Sequence, residues 1–235
     1  MCGRLGVAYE DSQLGVFLDK QLPEPVQDMP SALAGIQRGE VRPTQRVFAI
    51  TRNTDGLRAH AAHWTLVPPW AERSMSWGTT KTGTPAMRFA GSQRVHFNSR
   101  ADTLTSSAGW QRLLRHHRCL ILASTYTEWS DVEMLAPGEA KRTGVFSLRD
   151  EPLLPLAGIG CWVMDAIGRP LLTVSVITTL PNDMMRRLPH HRMPAILRAE
   201  AIPAWLNRDE VNPERWISTT PDEALTSTEH EAPSR

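Results

Sequence analysis

The feature that most constrains this chain is a succession of short apolar runs, none long enough to span more than a strand or a few helical turns. Residues 45–51 and 57–67 read as strands, the second closed by Pro68-Pro69. Residues 119–123 form a compact apolar run that suits a buried strand, and residues 94–97 alternate like another. Further strands are expected at 143–148, 153–161, 171–177 and 195–197, with Gly168-Arg169-Pro170 as a turn. Helical spacing is confined to short stretches: residues 11–22, carrying Leu14, Phe17 and Leu18, then 103–114, a turn or two after Asn182, and 199–206. Residues 72–92, rich in Ser, Thr and Gly, read as an irregular loop. No repeat or linker divides the chain. The expected fold is α+β: one domain over residues 2–208, with a bent, mostly antiparallel, barrel-like sheet flanked by short helices. Residues 209–235 are polar and are expected to be a flexible tail.

No apolar run approaches the roughly 18 residues of a spanning helix, and the first residues lack the shape of a signal peptide. A cytosolic protein with reduced thiols is expected. Cys2, Cys119 and Cys161 are odd in number and far apart, which suggests neither a disulfide framework nor a CxxC metal site. His116-His117 and His190-His191 are adjacent pairs without zinc-finger or HExxH spacing, so no metal and no cofactor is expected. The formal net charge of +1 excludes a whole-protein field that would draw in nucleic acid; DNA affinity would need a local arginine cluster.

Chemistry concentrates in a few segments. Cys2 follows the first methionine, and methionine is normally removed before a small residue. Removal would leave a free α-amine (pKa about 7.7–8.0) vicinal to a thiol (about 8.5), both partly deprotonated near neutrality. Such a 1,2-aminothiol condenses with an aldehyde and closes to a thiazolidine. The plainer reading is a cysteine in a loose terminus. Asn98-Ser99-Arg100-Ala101-Asp102-Thr103 falls at a strand-to-helix junction, where Arg100 can fork onto a phosphate or the segment can simply cap a helix. Glu128, in Tyr126-Thr127-Glu128-Trp129, follows so apolar a strand that it loses part of its hydration, which suits proton transfer; the other reading is an exposed Glu beside a core Trp. Pro189-His190-His191-Arg192-Met193-Pro194 holds a histidine pair between prolines, and histidine shuttles protons near neutral pH. In Trp64-Thr65-Leu66-Val67-Pro68-Pro69-Trp70 one Trp is expected in the core and the other on the surface, where it could stack on bases.

Together these motifs resemble the SOS-response-associated peptidase family, whose members are also called abasic-site processing proteins. The match runs from Cys2 to about Leu206 and rests on Met1-Cys2-Gly3-Arg4, Asn98 to Thr103, Glu128-Trp129 after the 118–123 strand, residues 177–182, and His190 to Pro194. The resemblance implies binding to single-stranded DNA, removal of Met1, and a covalent thiazolidine link between Cys2 and the aldehyde of an abasic site. It implies that Cys2 is the nucleophile, Asn98 holds that terminus, Glu128 is acid/base, and His190 assists sugar opening and proton transfer. Arg4, Arg100 and Arg192 would contact DNA, with Trp64 and Pro68 beside it. Weak lyase activity through the imine and a monomeric state are further expectations. The sequence departs from the pattern at His191, where the family has aspartate, at Thr65, where it has glycine, and at Gly160-Cys161. Two rivals stay open: an N-terminal-nucleophile amidohydrolase using Cys2, and a single-stranded DNA-binding module in which Cys2 is inert.

Overall fold

A computed structural model of the chain describes residues 2–72, 75–81, 83, 85–89 and 96–231. Its first half contains β1 (Arg4–Val7), α1 (Asp11–Gln21), β2 (Val26–Gln27), α2 (Met29–Gly35), β3 (Gly39–Val41), β4 (Arg46–Asn53), β5 (Gly56–His63), β6 (Met75–Thr79) and β7 (Pro85–Phe89). Next come β8 (Asn98–Arg100), α3 (Ala101–Leu104), α4 (Ala108–His116), β9 (Arg118–Ala123), β10 (Thr125–Trp129) and β11 (Arg142–Leu148). The chain continues through β12 (Leu154–Met164), β13 (Pro170–Thr179), α5 (Asp183–Arg187), β14 (Met193–Pro194), α6 (Ala201–Leu206) and β15 (Leu225–Glu231).

Five strands close on themselves. β9 pairs antiparallel with β12 and β4, β4 pairs with β5, β12 pairs with β13, and a parallel contact between His63 and Thr173 joins β5 to β13. Closure removes exposed edges. β8 lies parallel to β13 outside this ring. A second sheet runs in the order β15-β11-β10-β1-β3. The chain crosses from ring to second sheet at Ser124, whose N–H donates to the Gly6 carbonyl at 2.7 Å and whose hydroxyl accepts from the Ala8 N–H at 2.9 Å. This is the bent, mostly antiparallel α+β architecture that the run lengths imply.

β9 is apolar at nearly every position because it is buried on both faces. It has a partner on each side, and α6 packs on it, with the Trp205 indole N–H donating to the Cys119 carbonyl at 2.9 Å. Three expectations need correction. The segment expected as an irregular loop carries the antiparallel hairpin β6–β7. The single helix expected over 103–114 is two, α3 and α4. Between them the Thr105 and Ser106 hydroxyls donate to the carbonyls of Asp102 and Thr103, capturing acceptors a continuous helix would use. The tail expected to be flexible after Arg208 carries a strand: β15 pairs with β11 from Leu225 opposite Leu148 to Glu231 opposite Arg142. Backbone ladders need no apolar side chains on their outer face, so polar composition concealed this strand. Residues 94 and 95 of the strand expected at 94–97 lie outside the described residues, and His96 forms an isolated antiparallel bridge with Leu66.

His63 ends β5 at the closure point, and its Nδ1 is buried with no hydrogen-bond partner among the described residues. Burial, with a smaller contribution from the Arg46 charge, lowers its pKa from 6.5 to about 4. The folded state therefore prefers the neutral ring. That preference contributes fully above pH 6.5 and is lost as the pH falls towards 4. Unfolding free energy should drop by about 3 kcal/mol through this window on account of His63. Urea titrations at successive pH values would read it. His63→Gln should make the profile shallower, leaving the share of His60, which burial also lowers to about 4, and an equally steep profile in that variant would refute the assignment.

Candidate functional site

Strand periodicity sends Tyr126 and Glu128 of β10 to one face and Trp129 to the other. Tyr126 and Glu128 are fully buried, whereas Trp129 is half-buried. Of the two readings open for the Glu-Trp pair, the carboxylate is therefore interior and the indole is at the rim. Tyr126 stacks on Phe146 with ring centroids 4.9 Å apart, and its hydroxyl lies 3.6 Å from Met185 Sδ.

β1 runs antiparallel to β10, with Arg4 opposite Thr127 and Leu5 opposite Tyr126. Continuing that register backwards sets Cys2 beside the Glu128–Trp129 end of β10. Cys2 is fully buried and its thiol faces the Arg4 carbonyl at 3.7 Å. Burial pushes the thiol pKa well up, and the nearby Glu128 carboxylate pushes it further. A thiol so placed holds its proton at neutral pH and needs a base to release it. Asn98, first residue of β8, donates from Nδ2 to the Cys2 carbonyl at 2.7 Å. The Asn98 Oδ1 is buried with no hydrogen-bond partner among the described residues.

His190 enters from the loop after α5. Its Nδ1 donates to the Trp129 carbonyl at 2.9 Å, which fixes the proton on that nitrogen. Nε2 then faces Glu128 Oε2 at 3.3 Å. With Nδ1 committed as a donor, any hydrogen bond between Nε2 and Oε2 requires a proton held by one of the two, the arrangement of a proton-transfer pair. Cys2, Asn98, Glu128 and His190, separate in sequence, thus meet where the second sheet abuts β8 and the ring. The site joins two sheets.

The residues expected on DNA divide. Arg4 lies at the rim, its guanidinium 4.6 Å from the Trp129 ring centroid and 3.0 Å from Glu40 Oε2. Arg100 is exposed, but it forks onto Asp102 at 2.6 and 3.2 Å, and this bond holds the Asp102 carboxyl below the usual range. Arg192 is buried, its guanidinium donating to the Thr178 carbonyl, with Asp102 at 3.5 Å. Trp64 is wholly in the core, its indole N–H donating to the Phe97 carbonyl at 2.8 Å, and Pro68 is also buried. Trp70 is the surface member of that pair, 47% exposed and edge-on to Trp110. Thr65, where the resemblance leads one to expect glycine, is buried with its hydroxyl donating to the Trp64 carbonyl at 2.6 Å.

Sequence reasoning gave Tyr126 no role, read Asp102 only as part of a helix cap, and passed over Asp131. Tyr126 sits two residues before Glu128 on one strand, so strand alternation could have found it. Asp131 is different. It pairs with His191 Nδ1 at 2.7 Å, and only the approach of two loops, with the Asp131 N–H donating to the Pro189 carbonyl at 2.8 Å, brings it there.

Comparison with known proteins finds likenesses over most of the chain. The family model described as SOS response associated peptidase (SRAP) matches residues 1–231. The abasic site processing protein YoqW of Bacillus subtilis (strain 168) is 30% identical over 216 residues, covering 91% of this chain and 84% of the relative. YoaM of the same strain, also called an abasic site processing protein, is 30% identical over 174 residues, covering 74% of this chain and 67% of its own. Among solved structures, a protein from Bacteroides thetaiotaomicron shares the fold, with TM-score 0.70 and 21% identity over 96% of this chain and 90% of that one.

Proposed function

The chain belongs to the SOS response associated peptidase family, and from that premise we propose that it captures abasic sites in single-stranded DNA covalently through Cys2. The observation that carries this reading is the convergence on one buried cysteine of Asn98 and the Glu128–His190 pair.

In this reading the peptide bond between Met1 and Cys2 is cleaved, releasing the Cys2 α-amine. Asn98 Nδ2 already grips the Cys2 carbonyl, and its Oδ1, without a hydrogen-bond partner among the described residues, supplies an acceptor for the new amine. The amine attacks the C1′ aldehyde of the ring-opened sugar, and loss of one water gives an imine. The thiol sulfur then adds to the imine carbon while the nitrogen takes up a proton, closing the thiazolidine. Glu128 and His190 move these protons. A thiol with so high a pKa has little thiolate of its own, which is why the pair is needed. Arg4, backed by Trp129, and Arg100 hold flanking phosphates, and the weakness of exposed ion pairs allows phosphate to displace Glu40 and Asp102. β-Elimination from the imine gives a slow lyase side reaction.

Intact-mass measurement tests the scheme. Purified protein should lack Met1, and incubation with an abasic oligonucleotide should add the oligonucleotide mass less one water. An intact-base oligonucleotide should add nothing. Full adduct on a chain that retains Met1 would sink the reading, and turnover of a simple amide with indifference to DNA would favour an amidohydrolase instead.

A further inference from the structure

The histidine pair carries a feature that the capture chemistry does not use. His190 is buried, bonded to the Trp129 carbonyl and facing Glu128 at 3.3 Å, whereas His191 is half-exposed and meets Asp131, itself reachable from solvent. One ligating atom each from Asp131, His190 and His191 lies within 4.8 Å of the other two. The adjacent histidines lacked any familiar metal spacing in sequence, yet the fold adds the missing carboxylate from another loop. That loop is braced: the Asp131 N–H donates to the Pro189 carbonyl at 2.8 Å, and the Asp131 carbonyl accepts from Met134 N–H at 2.9 Å.

We infer that Asp131, His190 and His191 form a site for a divalent transition metal such as zinc, and that metal bound there switches the protein off. Two imidazoles and a carboxylate are a ligand set that zinc takes with a fourth position left for water. Zinc ligands at their usual bond lengths stand about 3.3 Å apart, so the three groups need only small side-chain movements. The His191–Asp131 contact opens slightly and His190 swings outward. A metal on either nitrogen of His190 removes that nitrogen from its present partner. Loss of the Trp129 bond frees the ring's orientation, and loss of the Glu128 contact breaks the proton path. In both cases capture stops without any change at Cys2. Only the inhibition arm rests on the proposed function; metal binding does not.

Zinc sulfate is the probe, and binding is read first, by competition with a coloured chelator on Cys2→Ala protein so that the thiol cannot contribute. One zinc per chain is expected, with affinity falling at least about tenfold when His191→Ala or Asp131→Ala is added. Zinc held equally well without His191, or not held at all, overturns the proposal. In wild-type protein, micromolar zinc should halt adduct formation and a chelator should restore it. His191→Ala, which leaves the capture groups intact, should form adduct at the metal-free rate and need at least about tenfold more zinc for the same inhibition. Equal sensitivity of the two proteins also overturns the switch. Absence of adduct from metal-free wild type would instead fail the capture reading, leaving the binding measurement to decide the site.

Discussion

Cys2→Ala is expected to reduce the stable adduct with abasic single-stranded DNA to background while leaving the protein folded. The substitution removes one buried sulfur, a loss of roughly 1 kcal/mol in a core this size, so thermal melting should shift only slightly. The α-amine survives, and so does the Asn98 bond to the residue-2 carbonyl, since that bond involves only backbone on the cysteine side. An imine should therefore still form and should be trapped as a secondary amine by borohydride. Without reductant it hydrolyses, because no sulfur closes on the imine carbon. The pattern of no spontaneous adduct but a reducible one separates the roles of nitrogen and sulfur. It is read on a denaturing gel with and without borohydride. An undiminished spontaneous adduct would remove the thiol from the mechanism.

Glu128→Gln should slow adduct formation by about 100-fold or more, the range found for loss of a positioned acid or base. The amide keeps the shape of the side chain and leaves the ring of Tyr126 on Phe146 undisturbed, so the fold should persist. What is lost is a group able to take and return a proton opposite His190 Nε2. Because the change acts on rate, the final yield after long incubation should approach that of the wild type. His190→Gln should show a similar defect, and the double variant should be little worse than either alone, since the two groups act as one unit. Multiplicative defects, or an unchanged rate in Glu128→Gln, would dismiss the pair as the proton carrier.

Much of the architecture was legible because run length and flanking punctuation are local properties. The 119–123 run became β9, the 45–51 run became β4, and Asn182 caps α5 by accepting from the Met185 N–H at 2.9 Å. The failures had both local and distant causes. Thr105 and Ser106 broke a helix through hydroxyl bonds that periodicity does not register. β15 was missed because its stability comes from pairing with β11, far away in sequence. Trp64 and Trp70, six residues apart, could not be told apart by type; one lies under the Phe97 carbonyl and the other at the surface.

By itself, the order of residues picked out the members of the candidate site: a cysteine in second place, an asparagine at a strand end, a glutamate after an apolar strand, and a histidine between prolines. Residue type carries functional-group chemistry, and that much needs no coordinates. Only the tertiary structure decided which of them meet, which arginines keep a free face, and that Asp131 joins the histidine pair. Those outcomes depend on antiparallel register between β1 and β10, on β8 lying along β13, and on two loops bonded through Asp131 and Pro189. Each is a contact between residues distant in the chain. Burial and charge environment, which raise the pKa of the Cys2 thiol and bury Arg192, exist only once those contacts form.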